Sequence, residues 1–250
     1  MTKSIDFYFD FISPYSYLAY QKIKSLSNVD EINITYRPIL LGGLHKLGGI
    51  TAPAFNEHKL ENMKNDCDLV ASKNKIPFFW NTKFPINSLN LMRGYLSIDQ
   101  EFKKDYFDLC FQAYWKDNVD TSKEENLIDI LDKLVIDKEK VLNGIRNIEI
   151  KEQLKKLTSL AFEKKIFGAP TFVVNNKIFW GQDRLNYALD EYNSYTILNL
   201  LFLIAAKPPS ICETFSNPIS FNDLAAKADL KPPAQNKTIS LFRSNLPSLK

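Results

Sequence analysis

The sequence predicts an α/β fold in which a β-α-β unit and a β-β-α unit, far apart in the chain, pair into one sheet around a large helical insertion. Three observations carry this. An alternating, aromatic-rich segment, Ser4–Phe9 (SIDFYF), is followed at once by a serine-proline helix start. A short strand pair entered through a proline, Thr171–Val174 and Lys177–Trp180, comes late in the chain. Between them, about a hundred residues repeat Leu, Ile, Phe or Met at threes and fours, which is helical spacing. The two half-sheets must pair to bury their aromatic faces.

Each element has its own signal. Ser4–Phe9 is the first strand. Ser13-Pro14 opens a helix over Tyr15–Leu26, with Tyr17, Leu18, Ile23 and Leu26 on one face. Ile32–Ile39 (INITYRPI) is the second strand, and Leu40–Pro53 (LLGGLHKLGGITAP) reads as a glycine-containing loop. Five helices follow, over Phe55–Asn74, Ser88–Ile98, Lys103–Trp115, Glu124–Leu134 and Lys138–Phe167, so the insertion spans about 54–166. Thr171–Val174 and Lys177–Trp180 form a hairpin through Asn175-Asn176. Gly181-Gln182-Asp183 leads into a last amphipathic helix, Arg184–Asn193, with Asp183 as a candidate N-cap. This order fits a thioredoxin-like sheet with a helical insertion. The domain is expected to span 1–207.

Beyond Lys207 the character changes. Pro208-Pro209, Pro218, Pro232-Pro233 and Pro247 lie among Asn and Ser, so 208–250 reads as a largely irregular tail, with a short helix hinted at over Phe221–Leu230. The apolar run Ile197–Ala206 is about half the ~20 residues that a membrane-spanning helix needs, and reads as a buried or subunit-facing helix.

Composition narrows the function classes. Of 250 residues, 45% are hydrophobic and 24% charged, ordinary values for a soluble globular protein. Thirty-two basic against 29 acidic residues leave +3, spread thinly, which gives no reason to expect nucleic acid or an anionic membrane as partner. Three dispersed cysteines, Cys67, Cys110 and Cys212, with no CxxC pair, suit a reducing, cytoplasm-like compartment and exclude a dithiol exchanger. With only His45 and His58, a histidine metal site is not expected.

Two turns carry the chemistry. Ser13-Pro14-Tyr15-Ser16 places a serine where a strand turns into a helix. The first N–H groups and the helix dipole favour negative charge there. A cysteine at that position would attack disulfides; a serine cannot cycle redox states. It can donate its O–H to a sulfur brought by a ligand and so stabilise the thiolate. Making a thiol of pKa near 8.5 mostly ionised at neutral pH takes about 2.7 kcal/mol. A hydrogen bond to a charged group plus a helix end is of that order. Ser13 is equally readable as an N-cap alone. In the second turn, Phe167-Gly168-Ala169-Pro170-Thr171, a proline at a strand entry suggests a cis bond. Such a turn would leave the N–H and C=O of Ala169 free to pair with an extended peptide. In this fold order the two turns lie side by side, a site for a thiol-containing peptide. Asp183 could also hold the α-ammonium of a γ-glutamyl group.

Five blocks in one order, FYFDFISPYSYLAY, LLGGLHKLGG, FPINSLNLMRG, FGAPTFVV and FWGQDRL, resemble the 2-hydroxychromene-2-carboxylate isomerase family and the related kappa-class glutathione transferases, within the DsbA-like thioredoxin superfamily. The resemblance covers residues 4–193. It implies glutathione as cofactor and a small aromatic carboxylate or electrophile as substrate. It also implies a cytoplasmic enzyme, commonly a homodimer. By position, it implies that Ser13 bonds the glutathione sulfur, with Pro14 and Tyr15 at the helix start. Ala169, before Pro170, would pair with the tripeptide backbone. Gln182 and Asp183 would hold the γ-glutamyl end, with Trp180 and Gly181 lining the same turn. Lys46 would face the acidic substrate and Asn87 would line the pocket. The family often has asparagine after the Gly-Gly loop, where this chain has Ile50. The implied activities are isomerisation or, alternatively, glutathione transfer or peroxidation; a third reading is a non-catalytic peptide-binding domain of the same fold.

Overall fold

A computed structural model describes residues 4–194. The expected run Ile197–Ala206, the tail 208–250 and Cys212 lie outside them. The described residues form a four-stranded sheet in the order β2-β1-β3-β4. Strand β1 (Ile5–Phe9) pairs in parallel with β2 (Ile34–Pro38) and antiparallel with β3 (Thr171–Val174), which forms a hairpin with β4 (Lys177–Trp180). The N- and C-terminal halves thus meet along β1, as the sequence order requires. Asn175 and Asn176, at φ 50° and 62°, make the hairpin turn with both central residues left-handed.

The parallel pair is bridged by α1 (Pro14–Lys24). Between β2 and β3 lie α2 (Leu41–Gly48), α3 (Glu57–Lys73), α4 (Leu89–Ser97), α5 (Lys103–Trp115), α6 (Glu124–Leu131), α7 (Lys138–Arg146) and α8 (Ile148–Glu163). After β4, a 3-10 turn, Gln182–Arg184, leads into helical residues 185–194. Asp183 is therefore not the helix cap; Gly181 stands at the cap position, and no side chain bonds the first turn.

Both faces of β1 are covered, which is why it is central. Phe7 and Phe9, with Phe11 just beyond, are fully buried in the main core. Phe107 of α5 is the hub of that core: its ring lies 4.5 Å from Phe9, 4.5 Å from Tyr20, 5.0 Å from Tyr36 and 4.9 Å from Phe111, in edge-on arrangements. Such pairs add about 0.5–1.5 kcal/mol each beyond burial. On the opposite face, Tyr8 packs with Ile39, Leu44, Ala161 and Ile166, a second cluster supplied by α2 and α8. Trp115 Nε1 donates to Phe11 O at 2.8 Å, tying the end of α5 to the loop after β1.

Two further expectations are corrected. The glycine-containing stretch after β2 is not a loop; its middle is α2. Tertiary partners outweigh the low helix propensity of Gly42 and Gly43. Leu41 N–H is accepted by Asp10 Oδ2 at 2.7 Å and Leu40 N–H by Thr158 Oγ1 at 2.9 Å. Gly49, at φ 63°, closes the helix in the left-handed region, with Ile50 N–H returning to His45 O. The single helix expected over Lys138–Phe167 is two, α7 and α8. Asn147 breaks it: its backbone is extended, at φ −66° and ψ 133°, and its Oδ1 accepts Glu149 N–H at 2.6 Å as an N-cap.

Phe107→Ala should lower stability by about 3–5 kcal/mol through the cavity it leaves. Urea unfolding followed by circular dichroism measures this, and a loss below 1 kcal/mol would show that Phe107 is not the hub.

Candidate active site

Ser13 has the extended backbone of an N-cap (φ −83°, ψ 114°), and its Oγ accepts Ser16 N–H at 3.1 Å. Its hydroxyl also donates to Ala169 O at 2.8 Å, across the interior to the turn before β3. The Ala169–Pro170 bond is cis. The two turns are therefore in direct contact, and Ser13 is both cap and bridge. One half of the Ala169 expectation changes: its carbonyl is occupied by the serine proton rather than free. Its N–H has no hydrogen-bond partner among the described residues. Beside Ser13, the Ser16 hydroxyl is wholly buried and unpartnered among the described residues. Pro14 is the first residue of α1.

Asp10, which no motif singled out, holds this corner together. It is completely buried. Its carboxylate accepts Ile12 N–H at 3.1 Å and Leu41 N–H at 2.7 Å, and the Ser88 hydroxyl faces it closely enough to lower its pKa. Its backbone carbonyl accepts Ser13 N–H at 3.0 Å. One side chain thereby joins the Ser13 turn to the starts of α2 and α4. Burial pushes its pKa up, against the pull of the hydrogen bonds from Ser88, Leu41, Ile12 and Phe11.

The structure spreads the remaining sequence-derived residues around this corner. Lys46 is exposed on the last turn of α2. Asn87 is exposed, and its Oδ1 accepts Leu89 N–H at 3.0 Å, so it helps cap α4. Tyr15 points to α3, with its hydroxyl near Asp66 and Cys67; burial and those neighbours push its pKa well above the usual phenol range, so it stays protonated. Ile50 is exposed.

The β4 end of the site is built on two glycines. Trp180 lies over Gly168, its Nε1 2.6 Å from where a Cβ would stand, and its ring packs on Phe167 at 4.8 Å. Both aromatics are half-exposed beside Ala169. Gly181 adopts φ 115°, a conformation favouring glycine, and Asp183 Oδ1 lies 2.6 Å from its missing Cβ. Gly181 N–H bonds Pro170 O at 3.0 Å. Asp183 is paired with Arg184 at 3.1 Å. Gln182 is buried, and its Oε1 accepts a hydrogen bond from Lys22 Nζ of α1. Lys22 is a second residue that sequence reasoning missed, since nothing in the helical spacing of α1 marks it. Asp10 did carry a signal, as an acid inside an aromatic stretch. Among the described residues no cluster of metal-ligating side chains occurs, and no helix is long and apolar enough to cross a membrane. A cavity of about 650 Å³, lined by Tyr20, Lys24, Tyr36, Tyr95 and Lys103 among others, involves none of these site residues.

The DSBA-like thioredoxin domain matches residues 4–193. A curated 2-hydroxychromene-2-carboxylate isomerase from Sphingobium xenophagum is 30% identical over 194 residues, covering 77% of this chain and 98% of its own. A curated glutathione S-transferase kappa 1 from Homo sapiens is 25% identical over 201 residues, covering 74% and 88%. A solved 2-hydroxychromene-2-carboxylate isomerase structure superposes with a TM-score of 0.72 at 26% identity, over 79% of this chain and 98% of that one. Both sets of curated relatives are enzymes.

Asp10→Ala should cost about 1–3 kcal/mol for each buried N–H left without an acceptor. Because the folded pKa of Asp10 is raised, its ionisation works against the fold. The stability advantage of the wild type over Asp10→Asn should be fullest below the unfolded carboxylate pKa, near 4, and should shrink as pH rises through the folded value. Denaturation of both proteins across pH 3.5–8 (roughly, the window set by the unfolded reference) tests this; a gap that widens with pH contradicts it.

Proposed function

We propose that this chain, which belongs to the DSBA-like thioredoxin family beside the 2-hydroxychromene-2-carboxylate isomerases and kappa-class glutathione transferases, is a glutathione-dependent isomerase acting on a small conjugated aromatic carboxylate of the 2-hydroxychromene-2-carboxylate type. The observation that carries the reading is the Ser13 Oγ–Ala169 O hydrogen bond. It puts a hydroxyl at the positive end of α1 against a peptide edge that still has an open N–H.

The residues fit a thiol tripeptide. Ser13 offers an O–H at a helix start, Ala169 an N–H without a described partner, Gln182 an amide and Asp183 a carboxylate. Glutathione, when bound, supplies the nucleophilic thiol that adds reversibly to the conjugated substrate and permits rotation about the former double bond. The work of the chain lies in its hydrogen bonds. Ser13 has a single proton, which goes to Ala169 O in the free protein. A peptide N–H arriving at Ala169 O can take its place. The serine O–H is then free to donate a hydrogen bond to a sulfur, while its oxygen still accepts from Ser16 N–H. Backbone recognition and thiolate stabilisation are in this way linked through one carbonyl. Lys46, on the exposed end of α2, supplies a cation for the substrate carboxylate and for the oxyanion that develops as the ring opens. Tyr15, kept protonated against α3, shapes the helix start rather than serving as a base.

Glutathione at a hundred times its dissociation constant should stabilise the protein by about 2.7 kcal/mol, seen as a raised melting temperature. Ser13→Ala should lower turnover by about 10- to 100-fold, the worth of one hydrogen bond to a charged group. It should cost about 1 kcal/mol of stability as a lost cap and about 1 kcal/mol more for the lost bond to Ala169 O. Turnover of 2-hydroxychromene-2-carboxylate against 1-chloro-2,4-dinitrobenzene assigns the reaction. Preference for the chloroarene would make the protein a kappa-like transferase. No response to glutathione would leave a non-catalytic peptide-binding domain.

A further inference from the structure

Gln182 has an ambiguity that its neighbour resolves. A side-chain amide offers an oxygen acceptor on one branch and an NH2 donor on the other. The Lys22 ammonium has donors only, and it meets Gln182 at Oε1. The NH2 branch is thus turned away from Lys22. It bonds no described residue, and it is not among the sealed, unpartnered atoms of the interior. Lys22 stands about 13 Å along α1 from Ser13. Partial burial pushes its pKa down, against the pull of Asp183 and Asp66 and with the help of Lys73. Next to it, Asp183 folds its carboxylate over Gly181. The corner therefore presents one fixed NH2 donor and one carboxylate, whose second oxygen pairs with Arg184 at the protein surface. Together they complement a carbon that carries a carboxylate and an ammonium.

We propose that Lys22 is a positioning residue: by holding Gln182 Oε1 it keeps the amide in the orientation that donates, and so makes this corner select the free α-carboxylate of an amino-acid end group. The inference rests on the glutathione reading above, in which the γ-glutamyl end is that group. Without Lys22 the amide can rotate by half a turn and present its oxygen, which repels a carboxylate and accepts from a carboxamide equally well.

The test is calorimetric titration of the wild type, Lys22→Met and Lys22→Arg with two ligands. These are glutathione and its analogue whose γ-glutamyl α-carboxylate is replaced by a carboxamide. The wild type should prefer glutathione by about tenfold or more. Lys22→Met should bind glutathione about tenfold more weakly and the carboxamide almost unchanged, so the preference collapses. Lys22→Arg, which still has only donors, should restore it. A merely structural role would weaken both ligands together, and that result overturns the proposal. So does Lys22→Met that keeps wild-type affinity and preference. If the wild type itself binds no glutathione, the thiol reading and this inference fall together. If the wild type binds and Lys22→Met is unchanged, only the role of Lys22 falls.

Discussion

The site depends on one buried carboxylate. Asp10 sits at the end of the central strand with no exposure to water, and it is tolerated there because two backbone N–H groups and a serine hydroxyl converge on it. Those donors come from three places in the chain: its own turn, the start of α2 and the start of α4. The bond from Ser13 N–H to Asp10 O then sets the position from which the serine hydroxyl reaches Ala169. A hydroxyl is a directional donor with a short reach. Removing the carboxylate would loosen the frame that aims it.

The aromatic core serves the same end from the other side. Phe107 and its neighbours fix α5 against β1, and the bond from the Trp115 indole to Phe11 O fastens the loop that runs from β1 to Ser13. The Ser13 turn is thus clamped between a dry aromatic layer on one face of the sheet and the Asp10 cluster on the other. Rigid support of this kind holds the Ser13 hydroxyl in the geometry that the proposed exchange of acceptor requires.

Much of this was legible in the sequence, and for physical reasons. Alternation in Ser4–Phe9, Pro14 after Ser13, and Asn175-Asn176 between two short apolar runs are local signals, and β1, α1 and the hairpin follow them. The meeting of Ser13 with Ala169 followed from strand order alone. What escaped was decided at a distance. The sequence of α2 reads as a loop because its glycines disfavour a helix, and the donors and acceptors that overrule them, Asp10 and Thr158, are remote in the chain. Asp183 looked like a cap, but the turn at Gly181 shifts the helix start and leaves its carboxylate folded back. Lys22 lies on a helix face whose partner, Gln182, arrives from the far end of the domain. Asn147, by contrast, is a local cap signal that the apolar periodicity on either side obscured.

Trp180 gives the molecule a built-in optical reporter. It is half-exposed, whereas Trp115 is wholly buried in the aromatic core and Trp80, the third tryptophan, packs on Phe84 and Trp115 away from this turn. The Trp180 ring leans on Phe167 and lies over Gly168, one residue from the peptide edge at Ala169. Anything that settles on that edge must change the solvent around this indole while leaving Trp115 in the dark interior. Emission from the protein therefore carries a component tied to the occupancy of one small turn, with no label attached.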